Sequence, residues 1–496
     1  MDREIELKFL IAPEAADEVL SLLNGEGAVR QLDATYFDTA DHALRKAGFG
    51  LRVRDGEGGR KQTLKSASAG GIFARGEWET RIAGPGPDAD VLAETPAAAV
   101  VNGAALQPVF TTRVERIVRM IRRGETVIEA VVDRGELIVE DRQAQVCELE
   151  LELKSGSPSD LFDLARDVAR QIPLRLSLVS KAERGYGLAL AGVAVPDSRR
   201  QAAQLEPAMT AGEALQAVGR AALSHLCASA EALRERPGPE GVHQMRVALR
   251  RARVLLKLFK PLSADPAARA LEDELKWLAG ELDAARDLDV LVADVWRPAA
   301  EDEPGEGTAA FGRALLAAQT KAYLRMEAAM ESARARALLL ETAAWLEAGP
   351  WASDPDLAET RDQPAGPFAA AVLDHRLRKV LGKSAHLADL APEARHGLRL
   401  KGKTLRYAVE DLAGLFPDHP KRIERFVEAT KALQDGLGRL NDLRGRAALA
   451  HEVALAHGEP EAAFAAGRLT AGGDEAALLE SAEKARRALA HAKTFW

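Results

Sequence analysis

The residues of this 496-residue chain that could do chemistry are charged side chains set two apart. Near the N-terminus Glu4, Glu6 and Lys8 alternate with Ile5 and Leu7. Further on, Arg52 and Arg54 alternate in GLRVRD, Lys61, Thr63 and Lys65 in KQTLK, and Glu77, Glu79 and Arg81 in GEWETRI. Glu148, Glu150, Glu152 and Lys154 alternate in CELELELK, and Asp133 stands in TVIEAVVDRGEL. A period of two puts alternate residues on one face of a β-strand. Any single strand of this kind is also what a half-exposed antiparallel strand shows. Taken together the strands differ from that pattern, because the charged face is nearly pure carboxylate in some and pure cation in others. Two carboxylates held about 4 Å apart repel by a few kcal/mol at an intermediate dielectric, so a Glu-rich face turned inward needs cations. Mg²⁺ or Mn²⁺ suits hard oxygen ligands. The cation-rich strands suit a polyphosphate, through bidentate Arg contacts and Lys point charges. A closed barrel with a charged interior would hold both.

The chain falls into two halves. Residues 1–195 carry short period-two runs separated by turn signals and read as a mostly antiparallel β domain, with helices near 13–23 and 158–171 where Pro stands at the first helical position. The segment VAVPDSRRQAAQLEP, residues 193–207, breaks the pattern and marks the domain boundary. Beyond it the chain is rich in Ala, Leu, Glu and Arg at spacings of three and four, which predicts an all-helical domain over 206–496. Pro- and Gly-rich stretches at 298–308 and 349–367 interrupt it, and the second divides it into pieces of about 206–348 and 366–496.

Those pieces repeat. HQMRVALRRARVLLKLF at 243–259 matches HGLRLKGKTLRYAVEDL at 396–412, with His243 on His396, Arg246 on Arg399, Arg250 on Lys403 and Arg253 on Arg406. A second similarity follows each, LDAARDLDVL at 282–291 against LGRLNDLRGR at 437–446, so two copies of a helical bundle are expected. Spacings of three, seven and ten from each His fall within an arc of roughly 80° on a helix, one narrow basic stripe that Lys257 extends in the first copy. Arg286, Asp287, Asn441 and Asp442 read as buried polar contacts between helices.

Composition limits the functions open to the chain. With 67 Lys and Arg against 75 Asp and Glu the formal charge is -8, so any anion site must be a local concentration of cations. Basic residues are not interleaved with stacking aromatics, which argues against nucleic acid. No apolar run reaches the roughly 18 residues of a membrane span, no leader pattern opens the chain, and two cysteines make no disulfide framework; cytoplasm is the expected location. Nothing in the sequence sets the oligomeric state.

The ordered set ExExK at 4–8, LRVR, QTLK, the Glu77-Trp78-Glu79 strand, Arg116 in RVERIV, Asp133 in VDRGE, CELELEL and SKAERGY resembles the CYTH superfamily, the triphosphate tunnel metalloenzymes. That resemblance covers residues 1–190. It implies an eight-stranded antiparallel β-barrel with peripheral helices, enclosing a tunnel, so that the whole chain is α+β. It further implies hydrolysis of inorganic triphosphate, with Glu4, Glu6 and Lys8 at the catalytic centre. Glu4, Glu6, Asp133, Glu148 and Glu150 would hold Mg²⁺ or Mn²⁺. Lys8, Arg52, Arg54, Lys65, Arg116 and Lys181 would bind the phosphates, and cross-strand pairing is as good a reading for Glu77, Glu79, Arg81 and Glu152. The helical half resembles the CHAD domain, which implies binding of inorganic polyphosphate through His243, Arg246, Arg250, Arg253, Lys257, His396, Arg399, Lys403 and Arg406, with Tyr407 beside them. Two alternatives stay open at this level: a polyphosphate-binding scaffold with little turnover, and an enzyme acting on an organic triphosphate such as thiamine triphosphate or ATP.

Overall fold

The computed structural model describes residues 5–56, 59–66, 76–192, 198, 202–382, 386–471 and 474–496, with the backbone alone at residues 26 and 441–444. Glu4 lies outside the described residues. Among the described residues the N-terminal half forms nine antiparallel strands: β1 (Ile5–Leu10), β2 (Glu26–Thr39), β3 (Phe49–Asp55), β4 (Lys61–Ser66), β5 (Glu77–Arg81), β6 (Leu106–Arg123), β7 (Thr126–Val139), β8 (Arg142–Ser155) and β9 (Arg175–Leu176). They make a single sheet in the order β5-β4-β3-β2-β6-β7-β8-β1-β9.

This corrects the expected eight-stranded closed barrel. Among the described residues no ladder joins the two ends, and β5 and β9 stand as edges. The extra strand is two residues long and pairs with Phe9 and Leu10 of β1. At the other edge all five residues of β5 are exposed.

Register explains why the period-two patterns matter. Directly paired residues of an antiparallel ladder point to the same side. Glu6 pairs with Glu152 and Lys8 with Glu150; Asp133 pairs with Glu148 and Arg116 with Asp133. Across β2 the same side continues through Arg30 opposite Arg116 and Tyr36 opposite Arg52. It then runs to Thr63 opposite Arg52 and to Glu79 opposite Thr63. Every charged position singled out in the strands and present among the described residues therefore shares one face.

The opposite face is apolar. Leu7, Phe9, Leu51, Ile128, Ala130, Val132, Leu149 and Leu151 alternate with those charges and are buried. Over β3 and β4 this face closes in a cluster of Phe37, Leu44, Leu51, Val53, Leu64, Leu92, Ala97 and Val101. Each fully buried Leu or Phe contributes about 1.5–3 kcal/mol, which fixes which side the charges must take. The three longest helices of this half among the described residues are α1 (Ala16–Leu22), α2 (Pro158–Ala169) and α3 (Lys181–Ala191).

The helical half contains α4 (Ala211–Glu235), α5 (Pro239–Leu258), α6 (Pro266–Leu291), α7 (Glu306–Glu331), α8 (Ala333–Ala348), α9 (Ala365–Leu381), α10 (Pro392–Leu412) and α11 (Pro420–His457), with shorter helices between and after them. Proline at the first turn opens α5, α6, α10 and α11, where its missing N–H has no intrahelical partner to lose. The repeated stripes fall on α5 and α10, and the second matched blocks on the long helices that follow, α6 and α11. Among the described residues no helix is long and apolar enough to cross a membrane.

Contacts divide the chain into two compact units, and the division does not follow chain order. Residues 220–237 and 332–349, the end of α4 and all of α8, cluster with the β half. The second unit comprises 202–219, 238–331 and 350–496.

Candidate functional site

Helix α3 organises the charged face. Its start is a capping box: the Glu183 N–H donates to Ser180 Oγ at 3.1 Å, and the Ser180 N–H donates to the Glu183 carboxylate at 2.7 Å. Gly192, at φ 70°, ends it in the left-handed conformation that favours glycine. Its Tyr186 and Leu188 join Ala34, Tyr36, Phe110, Val114, Leu137, Val139 and Val146 in one buried cluster. Register puts these strand residues on the charged side, so α3 seals one end of that face with apolar side chains.

Two further contacts fix the helix. The Tyr186 hydroxyl donates to Asp38 Oδ2 at 2.6 Å, and Asp38 also accepts from the N–H groups of Leu44 and Arg45. Gly185 lies so close to β6 that a Cβ there would stand 2.2 Å from the Phe110 ring. That ring stacks on Tyr36 at 4.4 Å and meets Tyr186 edge-on at 5.4 Å, so it has no room to yield. Gly185→Ala is expected to destabilise the β unit by about 1–3 kcal/mol in denaturant unfolding; an unchanged midpoint would show that the approach is not tight.

The first residue of α3 reaches the carboxylates. Lys181 Nζ lies 2.8 Å from Asp133, 2.6 Å from Glu148 and 3.0 Å from Glu150. Arg116 grips Asp133 through two bonds of 2.7 Å and Glu150 through one of 3.1 Å. Asp133 and Glu148 are buried. Burial works against ionised Glu150, yet Lys181, Arg116 and Lys8 outweigh it and hold its carboxyl well below the usual range. Asp133 is lowered in the same way, against burial, by Lys181 and Arg116. Burial would discharge Lys181, but Asp133, Glu148 and Glu150 raise its ammonium well above its ordinary value. Lys8 points to the same place, its Nζ donating to the carbonyl of Val179 just before α3.

The other end of the face is crowded with cations. Burial and neighbouring Arg52 hold Arg54 below the usual guanidinium range, and Glu79 offsets this only in part. Arg52 is half-buried, and against the effect of burial the Tyr36 hydroxyl and Glu77 raise its guanidinium above the ordinary value. Lys65 pairs with Glu77 at 3.0 Å; Lys61 reaches Glu79 at 2.5 Å and Arg54 reaches it at 3.3 Å. Glu77 and Glu79 are thus counter-charges to the cations, and Glu152 pairs with Lys154 at 2.6 Å. Arg116 stands between the two ends, close enough to repel Arg52 and Arg54.

The donors present suit a hard divalent cation in type, since Asp133, Glu148 and Glu150 converge on one point. That point is taken by the Lys181 ammonium, and among the described residues no group of three or more Asp, Glu, His or Cys is set as a metal centre.

In the helical half the stripe residues are half-buried on α5, while on α10 His396 is exposed and Arg399, Lys403 and Arg406 are half-buried. Several have acidic partners: Arg246 meets Asp283 at 2.5 Å, Lys257 meets Glu272 at 3.2 Å and Arg406 meets Glu410 at 2.7 Å. Burial and then Arg286 lower the pKa of His243, with Arg246 and Arg250 adding to the effect. Asp287 contacts Arg246 across helices at 3.7 Å, but it is exposed rather than buried as expected. The Asn441 and Asp442 side chains lie outside the described residues.

Sequence reading missed several groups. Arg251, off the stripe, is buried and stacks over Tyr407 at 4.4 Å. A cavity of about 780 Å³ has an apolar floor that includes Leu258 and Phe368, and Lys257, Lys260, His375, Arg376 and Lys379 line it as well. Arg184, one turn beyond Lys181, was also missed, and so was α3 itself. The sequence signal for α3 is Ser180-x-x-Glu183.

Residues 2–186 match the family model of the CYTH domain and residues 217–451 that of the CHAD domain. A curated relative, the inorganic triphosphatase of Haemophilus influenzae, is 31% identical over 201 residues. That match spans 38% of this chain and only 55% of the relative's length. A solved CHAD domain from the plant Ricinus communis is 29% identical with a TM-score of 0.51, covering 60% of this chain and 96% of its own.

Proposed function

We propose, from the premise that this chain is a CYTH domain joined to a CHAD domain, that it hydrolyses inorganic triphosphate on the charged face of the sheet and binds longer polyphosphate with its helices. The observation that carries the first part is the set of buried Asp133 and Glu148 with half-buried Glu150, neutralised by Lys181 and Arg116 beside a cation-crowded Arg52 and Arg54. Its Haemophilus relative is named an inorganic triphosphatase, which agrees with that chemistry.

Phosphoryl transfer needs positioning and charge neutralisation more than a protein nucleophile. Arg52, Arg54 and Lys65 receive one end of the phosphate chain, and Arg116, Lys8 and Lys181 the other. As Arg116 and Lys181 turn to phosphate oxygens, they release the carboxylates. Glu6, Asp133, Glu148 and Glu150, with Glu4, are the residues that would then hold Mg²⁺ or Mn²⁺. The metal supplies neutralisation of the phosphate charge and a water of lowered pKa. Lys8, fixed by its bond to the Val179 carbonyl, is kept within reach of the same phosphates. We infer a cytoplasmic location, with which the free, buried thiols Cys147 and Cys227 agree.

A release assay over tripolyphosphate, pyrophosphate, long polyphosphate, ATP and thiamine triphosphate tests the substrate. Tripolyphosphate is expected to be turned over most efficiently; higher kcat/KM for either organic triphosphate would replace it. For the helical half, neutralising Arg250, Arg253, Arg399 and Lys403 together is expected to weaken binding of long polyphosphate by at least about fourfold in calorimetry, each such charge being worth at least about 0.2 kcal/mol. Tripolyphosphate hydrolysis should stay at the wild-type rate, and unchanged polyphosphate affinity would remove the stripes from the proposal.

A further inference from the structure

The residues that match the CYTH family end at 186, yet the charge network of the site continues beyond them. Arg184 sits one turn after Lys181 on α3, on the same side of the helix. Its Nη2 donates to Glu231 at 2.6 Å and to Ser177 Oγ at 3.1 Å. Its Nε lies 3.7 Å from Glu148 Oε1, and among the described residues neither of these two buried atoms has a hydrogen-bond partner. The other oxygen of Glu148 holds Lys181 at 2.6 Å. Glu231 is buried, stands near the C-terminal end of α4 within the CHAD-matched residues, and clusters with the β unit.

Charge balance gives this chain of contacts its meaning. A buried guanidinium requires a carboxylate close by. With Glu231 in contact, Arg184 has one, and Glu148 is left to Lys181. Without it, the nearest carboxylate is Glu148, less than 1 Å beyond hydrogen-bond range. We propose that Glu231 is a positioning residue for the site on the sheet: by holding Arg184 it keeps Glu148 on Lys181, so a carboxylate from the CHAD-matched segment sets the geometry of the CYTH-matched site. The effect on catalysis rests on the triphosphatase reading above, whereas the contact itself does not.

The test uses full-length protein and two readouts. Acetylation of Lys181 by acetic anhydride, followed by mass spectrometry at fixed pH, reports how tightly the ammonium is held; kcat and KM for tripolyphosphate report the consequence. Glu231→Gln is expected to raise Lys181 labelling about fivefold relative to the other lysines and to raise KM more than it lowers kcat. The double variant Arg184→Gln/Glu231→Gln removes both charges and should return labelling to within about twofold of wild type. Glu231→Asp, which keeps the charge on a shorter stem, should raise labelling to a lesser extent and serves if the Gln variant does not fold. Labelling that stays at the wild-type level in both single variants, or rises equally in the single Gln and double variants, overturns the proposal. If labelling follows the expected pattern while wild type releases no phosphate, Glu231 still positions Lys181 and it is the triphosphatase reading that fails.

Discussion

Lys181→Met is expected to reduce tripolyphosphate hydrolysis by about a thousandfold and to destabilise the β unit by about 3–5 kcal/mol, the range for removing one partner of a buried ion pair. Methionine matches the length of the lysine stem, so the change is electrostatic rather than steric. Asp133 and Glu148, paired in register and both buried, then face each other with Arg116 gripping only Asp133 and Glu150. One of them must take up a proton or move apart.

The cluster also sets the sign of the pH dependence. Glu150 and Asp133 are held below their ordinary values of 4.5 and 3.8, so they bind protons less readily folded than unfolded. Their contribution is fully present above that range and is lost as pH falls through the depressed folded values. Wild type should therefore lose stability steeply below about pH 4, and the gap between wild type and Lys181→Met should narrow there. Thermal melts from pH 3 to 8 measure both; a gap that is constant with pH would show that Lys181 acts by packing alone.

Arg251→Met is the second large effect, and it falls on the helical unit. The guanidinium donates to Asp411 at 2.8 Å and to Glu410, and its plane covers Tyr407 at 4.4 Å. It thus ties α5 to α10, the two helices that carry the repeated stripes. Its removal leaves buried Asp411 without that partner, whereas Glu410 retains Arg406. A loss of about 3–5 kcal/mol in denaturant unfolding is expected. Arg251→Lys should recover little of it, because an ammonium can neither bridge two carboxylates as a planar fork nor stack as well on the ring. Adding Asp411→Leu to Arg251→Met should restore much of the stability, since no lone buried charge remains. A single variant within about 0.5 kcal/mol of wild type would remove Arg251 as a structural tie.

The face of the sheet was legible because it is local. Glu6 and Lys8 alternate with buried Leu7 and Phe9, and the same two-residue alternation in β3, β4 and β8 puts every strand in phase. Closure was not legible, because whether β5 meets β9 depends on the curvature of the whole sheet rather than on any strand's own residues. The basic stripes were legible from spacings of three and four, but the acids that pair with them stand on other elements, such as Asp283 on α6 opposite Arg246. Lys181 was found as a cation for phosphate; its partners in the structure are the three carboxylates expected to hold metal. That exchange follows from α3 crossing the charged face, which no strand pattern encodes. Arg184 and Arg251 gave no signal at all, since their partners lie 47 and 160 residues further along the chain.

In the proposed exchange a triphosphate draws Lys181 and Arg116 away from the carboxylates and leaves these to a divalent cation. Its most direct test is to follow phosphate released from tripolyphosphate by the full-length protein in Mg²⁺ or Mn²⁺, in chelator, and with Arg116→Gln. One phosphate and one pyrophosphate per tripolyphosphate, with turnover lost in chelator and reduced at least about a hundredfold by Arg116→Gln, is the predicted result. Release that is equal with and without metal, or no release with either metal, would contradict it.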